Sequence, residues 1–418
     1  MTWLDLPPDS PFGVANLPYG VFTAGEEPPR VGVRVGDAVL DAAGLAERVG
    51  MESAAVWREP SLNPFLAEGR PAWRAAREWL TVQLTDEAYR DAVEAHLVPL
   101  DAVALHLPVE VADYVDFYAS EHHATNVGRL FRPDSEPLTP NWKHLPIGYH
   151  GRAGTVVVSG TDVVRPCGQR RPPGADAPVF GPSTRLDIEA ELGFVVGGAT
   201  RLGEPVSVAQ AEEHLFGCVL LNDWSARDIQ AWEYVPLGPF LGKSFATSVS
   251  PWVVTTEALR AARVPLPGQD PEPLPYLRGE PTADGAGTAY GLDVAYEVEW
   301  NGTVVSRPGF RDMYWSPAQM LAHLTVGGAS LRDGDLFASG TVSGPRRDSR
   351  GCFLELTWSG TEPVTLGDGT ERTFLEDGDT VTLRATAPGA GGAVVGFGEC
   401  TGRILPARPA PLIGAAGP

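Results

Sequence analysis

Residues 186–192 read Leu-Asp-Ile-Glu-Ala-Glu-Leu, apolar and acidic in strict alternation. That is the period of a β-strand, and it predicts that Asp187, Glu189 and Glu191 share one face. Downstream, the apolar run 216–221 reads as a buried strand that gives way to a turn at Asp223. Before these stretches, residues 1–40 carry short alternating segments among Pro and Gly, such as 31–40, and predict a few short strands. From about 45 to 100 the apolar positions recur at helical spacing, as in 73–80 and 86–96. Pro99 and the strand-like 102–107 mark a change of character, so a domain boundary is placed near residue 110, giving domains 1–110 and 111–418.

From Asp113 onward the helical period is lost. Residues 113–128 and 141–152 are dense in acids, tyrosines and histidines and read as loops of the kind that build sites. A strand is expected at 249–255, then a Pro-rich surface excursion over 264–286. Residues 292–300 and 303–306 alternate around Asn301-Gly302, the signature of a hairpin with a type I′ turn. A helix is predicted over 316–325, with Ser316 as N-cap and Pro317 at its first position. Further strands are expected at 336–341, at 352–358 and around Val364, Val381 and Val394, and the last dozen residues read as a disordered tail.

With 418 residues the chain is long enough for a large core. A net charge of -21 argues against nucleic acid or an anionic membrane as partner, and means that any anionic substrate must be captured by local basic groups. Cys167, Cys218, Cys352 and Cys400 are scattered with no C-x-x-C pair, so reduced thiols in a cytoplasmic protein are expected. No apolar run reaches the length of a membrane span, and the N-terminus lacks the basic and apolar regions of a signal peptide.

Three carboxylates on one strand face repel one another, and a hard cation such as magnesium or calcium, joined by Asp223 at a strand end, is the simplest compensation. A solvated acidic face with Asp223 as turn former fits the same pattern. His122-His123 is the densest histidine position, suited to a general base if a carboxylate orients it, and equally to a structural role. Glu355 is a lone acid in an apolar stretch, either solvent-facing or buried opposite a partner. Arg227, Gln230 and Lys243 are donors among apolar neighbours, able to meet an oxyanion or simply to snorkel to the surface. Neither a phosphate-binding loop nor a nucleophile elbow is present.

Longer strings carry a resemblance. Asp-Phe-Tyr-Ala-Ser-x-x-His-Ala-Thr-Asn-Val-Gly (116–128), Asn-Trp-x-His-Leu-Pro-x-Gly-Tyr-His-Gly-Arg (141–152), Asp-Ile-Glu-Ala-Glu (187–191), the run 222–245 beginning Asn-Asp-Trp-Ser-Ala-Arg-Asp-Ile-Gln, Ala-Ser-Gly-Thr (338–341) and Leu-Glu-Leu (354–356) make the chain resemble the fumarylacetoacetase family. The resemblance runs from about 110 to 405. It implies a mainly β (α+β) protein, with a small N-terminal SH3-like barrel and a large C-terminal mixed β-roll, assembled as a homodimer. It also implies hydrolysis of a carbon–carbon bond in a small diketo acid, 4-fumarylacetoacetate, to fumarate and acetoacetate, with Mg2+ or Ca2+ as cofactor.

Residue by residue, the resemblance gives Asp116, Glu189, Glu191 and Asp223 as metal ligands, with Thr247 and, from the substrate side, Lys243 added to that set. His123 is the base and Glu355 its orienter; Arg227, Gln230 and Lys243 stabilise the alkoxide, Lys243 also serving as a proton source. Tyr118, Arg132, Tyr149, Tyr234 and Thr341 grip the substrate. Acylpyruvate hydrolases and oxaloacetate decarboxylases or tautomerases are the alternatives; the last two need the metal but not the His123–Glu355 pair.

Overall fold

A computed structural model describes residues 3–408 apart from 8 and 284. Most of the expected C-terminal tail, from 409 on, lies outside the described residues. The fold is mainly β, a small N-terminal SH3-like unit followed by a larger unit of mixed sheets. The N-terminal unit is a five-stranded antiparallel sheet in the order Leu97–Pro99, Ala38–Asp41, Arg30–Val35, Tyr19–Ala24, Val103–His106. The helical stretch between Ala38–Asp41 and Leu97–Pro99 contains Ala42–Val49 and Gly69–Thr85. Gly69–Thr85 buries Trp73, Ala76, Leu80 and Leu84, at the spacing that makes one apolar stripe. The unit does not stand apart, because Tyr19 packs its ring 5.6 Å from Phe216 and pairs its backbone with Val253.

The larger unit is built on an eight-stranded sheet running Gly148–His150, Tyr114–Phe117, Leu336–Ala338, Ala190–Val196, Leu215–Asp223, Thr247–Val249 and Val156–Val158, with Val254–Thr255 pairing beside the central strand. Both inner strands, Ala190–Val196 and Leu215–Asp223, are buried along their whole length, which fits the apolar runs 192–196 and 216–221 within them; Glu191 and Asp223 are the acids they carry into the interior. A second sheet joins Thr303–Ser306, Ala295–Trp300, Thr380–Pro388, Val394–Leu405 and Val163–Val164. Its Trp300 stacks on Phe353 at 4.0 Å between ring centres, tying the second sheet to the segment that carries Glu355.

Local signals placed several elements. Asn301 and Gly302 both adopt positive φ between paired Trp300 and Thr303, as a type I′ turn requires. The helix Pro317–Thr325 starts at Ser316, whose side chain accepts from Gln319 N while Gln319 reaches back. Several expectations fail: the strand expected at 249–255 is broken after Val249 and resumes at Val254–Thr255, and the loop expected over 141–152 contains the strand Gly148–His150. The loop expected over 113–128 contains the helix Glu121–Phe131, capped by Ser120; its polar face points at the site, so no apolar period shows. The strand expected at 352–358 is a helical turn, Phe353–Leu356. Asp187 accepts from the Phe353 and Leu354 amides at 2.7 and 3.0 Å, a tertiary cap that the local sequence does not announce.

Candidate active site

Strand register brings four carboxylates together. Asp116 lies on Tyr114–Phe117, Glu191 on Ala190–Val196, Asp223 ends Leu215–Asp223, and Glu189 immediately precedes its strand. Pairing sets Asp116 beside Tyr149 and Asp223 beside Thr247, and the Asp223 amide donates to the Glu189 carbonyl at 3.1 Å. All four acids are buried, and each offers an oxygen within 4.8 Å of the others. Asp187, expected on the same face, turns away: the chain leaves strand geometry at Ile188 and Glu189, and the Asp187 carboxylate takes Arg227 Nε at 2.8 Å.

Lys243 Nζ donates to Asp223 at 2.6 Å and bonds Glu189. Arg227 Nη1 meets Glu189 at 2.8 Å, Tyr149 donates to Asp116 and Asp223 at 2.8 and 3.0 Å, and Thr247 lies 3.4 Å from Asp223. Burial alone would push Glu189 up, but Lys243, Arg227 and His123 hold it well below the usual carboxylate range. Burial drives Asp116 and Glu191 far above that range, and neighbouring carboxylates add to the rise. Asp116 Oδ1 and Glu191 Oε1 are buried with no hydrogen-bond partner among the described residues. An all-oxygen set with two orphaned acceptors and too little nearby positive charge fits a hard divalent cation.

Behind this cluster stands a second pair. His123, on the helix Glu121–Phe131, places Nδ1 2.6 Å from Glu355 Oε2, and its Nε2 lies 3.7 Å from Glu189. Burial would raise Glu355, but His123, Asn126 and Cys352 outweigh it and hold the carboxyl at about 2. Glu355 is therefore ionised at neutral pH and placed to accept a proton from Nδ1, while Nε2 faces the carboxylate cluster.

A cavity of about 350 Å³ opens onto both groups. Among the expected residues, Asp116, Tyr118, His123, Arg132, Tyr149, Glu189, Arg227, Gln230, Tyr234, Lys243 and Thr341 line it. Glu191, Asp223, Thr247 and Glu355 stand behind its wall. Among the described residues, Arg227 Nη2 and Thr341 Oγ1 are buried without a partner, two donors on residues that line the cavity. Burial tends to lower Lys243, but Asp223 and Glu189 raise it above its ordinary value, so it stays an ammonium.

A family profile described as fumarylacetoacetase N-terminal matches residues 15–108, and one described as fumarylacetoacetate (FAA) hydrolase C-terminal matches 113–405. The fumarylacetoacetases of Oryza sativa subsp. japonica and Homo sapiens are 47% and 46% identical to the chain, covering 98% and 97% of it and 98% and 99% of their own lengths. The chain belongs to the fumarylacetoacetase family. The fold agrees: a fumarylacetoacetate hydrolase from Exiguobacterium antarcticum superposes with a TM-score of 0.55 at 18% identity, covering 94% of this chain and all of its own. A maleylpyruvate hydrolase from Sphingobium sp. SYK-6 gives 0.52 at 16% identity, over 94% of this chain and all of its own.

Within this fumarylacetoacetase-family site, sequence reasoning missed Asn126, Ser343 and Cys352, which crowd around Glu355, and the apolar wall of Val127, Phe131, Ile147 and Leu237. For Asn126 a signal existed: it follows His123 by three residues, one helical turn, and would have been found had the helix been recognised.

Proposed function

We propose that the chain hydrolyses the carbon–carbon bond of 4-fumarylacetoacetate to fumarate and acetoacetate. The observation that carries this reading is that His123–Glu355 and the four-carboxylate cluster open onto one cavity. Supporting it is the near-complete coverage of relatives named fumarylacetoacetase. A divalent cation, magnesium or calcium, held by Asp116, Glu189, Glu191 and Asp223 would supply positive charge to the oxygens of the bound diketone.

The remaining chemistry belongs to side chains. His123 Nε2 takes a proton from water as its oxygen adds to the carbonyl carbon, while ionised Glu355 stabilises the imidazolium through Nδ1. Arg227, Gln230 and Lys243 donate to the resulting alkoxide. Reforming the carbonyl breaks the carbon–carbon bond, and its electron pair leaves on the acetoacetate fragment as an enolate. The proton held by His123 returns to that carbon and closes the balance. In this reading the proton source is His123 in place of Lys243, whose pairing with Glu189 and Asp223 supports a role as a fixed positive charge. Tyr118, Arg132, Tyr149, Tyr234 and Thr341 orient the substrate.

The test follows loss of the diketone's near-ultraviolet absorbance with and without EDTA and identifies the acids formed. Fumarate and acetoacetate appear only with metal, and magnesium or calcium restores activity after chelation. Carbon dioxide release or keto–enol exchange with oxaloacetate in place of cleavage would move the protein to the decarboxylase or tautomerase reading. The same proposal includes a homodimer, read by sedimentation, and a cytoplasmic setting, which four free cysteines suit.

A further inference from the structure

We propose that Asn126 is a positioning residue: it fixes the carboxylate of Glu355 so that His123 is held as the tautomer with its proton on Nδ1. The inference rests on the hydrolytic reading above. The helix Glu121–Phe131 presents His123 and Asn126 one turn apart to the two oxygens of a single carboxylate. His123 Nδ1 takes Oε2 at 2.6 Å and Asn126 Nδ2 takes Oε1 at 2.8 Å. Two contacts from one rigid element fix both the plane and the rotation of the carboxylate.

The other neighbours all gather on one oxygen. Ser343 Oγ donates to Oε2 at 2.8 Å, and Cys352 Sγ lies 3.1 Å from it. Because Ser343 Oγ already accepts the Gly351 amide at 3.0 Å, its proton is free for Glu355. Oε1 has only Asn126 among the hydrogen bonds of the described residues, and Glu355 is fully buried. Without Asn126 that oxygen is a buried, unsatisfied carboxylate oxygen. The group then gains by rotating toward another donor, carrying Oε2 off the imidazole. The imidazole is thereby freed to place its proton on Nε2, where it cannot accept from water.

Three measurements on the magnesium-loaded protein test this. Asn126→Ala lowers kcat for fumarylacetoacetate about 10- to 100-fold with KM within about twofold. In a Glu355→Gln background the same change costs less than about twofold, because Asn126 acts through Glu355. Long-range 1H–15N spectra of histidine-labelled protein show His123 protonated on Nδ1 in the wild type and mixed in Asn126→Ala. If Asn126→Ala folds poorly, Asn126→Asp, of equal shape but with an acceptor in place of the donor, shows the same losses. Equal costs of the Asn126 change in both backgrounds, or an unchanged His123 tautomer, overturns the proposal. A wild type inactive on fumarylacetoacetate would sink the hydrolytic reading instead, and the tautomer spectra would still decide the role of Asn126.

Discussion

Glu189 and Asp116 are both buried carboxylates on the cavity wall, yet burial and charge carry them in opposite directions. Glu189 meets Lys243, Arg227 and His123 and is held low; Asp116 faces Asp223 and Glu189 and rises. What separates them is which side chains carry the positive charge, a fact of tertiary placement that residue types alone do not contain. Glu355 shows the same logic with a number attached. Its folded pKa of about 2 lies below an ordinary value of 4.5. An acid whose folded pKa is depressed stabilises the fold above its unfolded pKa and loses that contribution as pH falls through the folded one. The contribution is about 3 kcal/mol, present above pH 4.5 and lost between 4.5 and 2. Urea unfolding of wild type and Glu355→Gln should therefore show a stability gap that is constant near neutrality and narrows below pH 4.5. A gap independent of pH would mean that Glu355 is not ionised against His123. Replacing the base itself, His123→Ala, should lower kcat by about 10²–10⁴-fold while magnesium titration by calorimetry stays near the wild-type curve.

At the scale of elements, the sequence was most legible where a local rule suffices. Ser316 and Pro317 open a helix, Asn301-Gly302 makes a hairpin, and the apolar run before Asp223 is a strand ending at that residue. It was least legible where an element exists because of a distant partner. The turn Phe353–Leu356 has no side-chain cap of its own. Its first amides are satisfied by Asp187, from a strand end far away in sequence, which also holds Arg227. One carboxylate thus sets the helical turn bearing Glu355 and the guanidinium that faces the substrate. Asp187→Ala removes both partners at once and leaves Arg227, itself buried, with one carboxylate in place of two. Breaking such a buried pair costs about 3–5 kcal/mol, so the midpoint of urea unfolding should fall accordingly. Catalysis should suffer in the molecules that remain folded. A loss below about 1 kcal/mol, a surface-pair value, would show that Asp187 is not the anchor of this turn.

For the whole molecule, the reading of two units and a mainly β architecture needed only changes of period and the resemblance of long motifs. The shared core between units, with Tyr19 against Phe216, had no sequence signature because each residue reads simply as apolar. The global charge matters more. With -21 on the chain, ionising the central carboxylates adds negative charge to a molecule that already has an excess. Among the described residues, the cavity lining sets only the cations Arg132, Arg227 and Lys243 against it. Asp116 and Glu191, raised above the usual carboxylate range chiefly by burial, bind protons more tightly folded than unfolded. A group of this kind lowers the stability of the metal-free protein as pH rises through its folded value, the reverse of Glu355. A divalent cation must displace those protons to bind, so its affinity increases with pH and binding releases protons. Thermal unfolding with EDTA and with excess magnesium should then show a metal-dependent rise in Tm that grows as pH increases. In calorimetry the measured heat should change with the ionisation enthalpy of the buffer. Asp116→Asn and Glu191→Gln, which remove the titrating carboxyls, should flatten the pH dependence as they weaken binding. A metal-induced shift in Tm that does not vary with pH in the wild type would show that these two carboxylates are already ionised before the cation arrives.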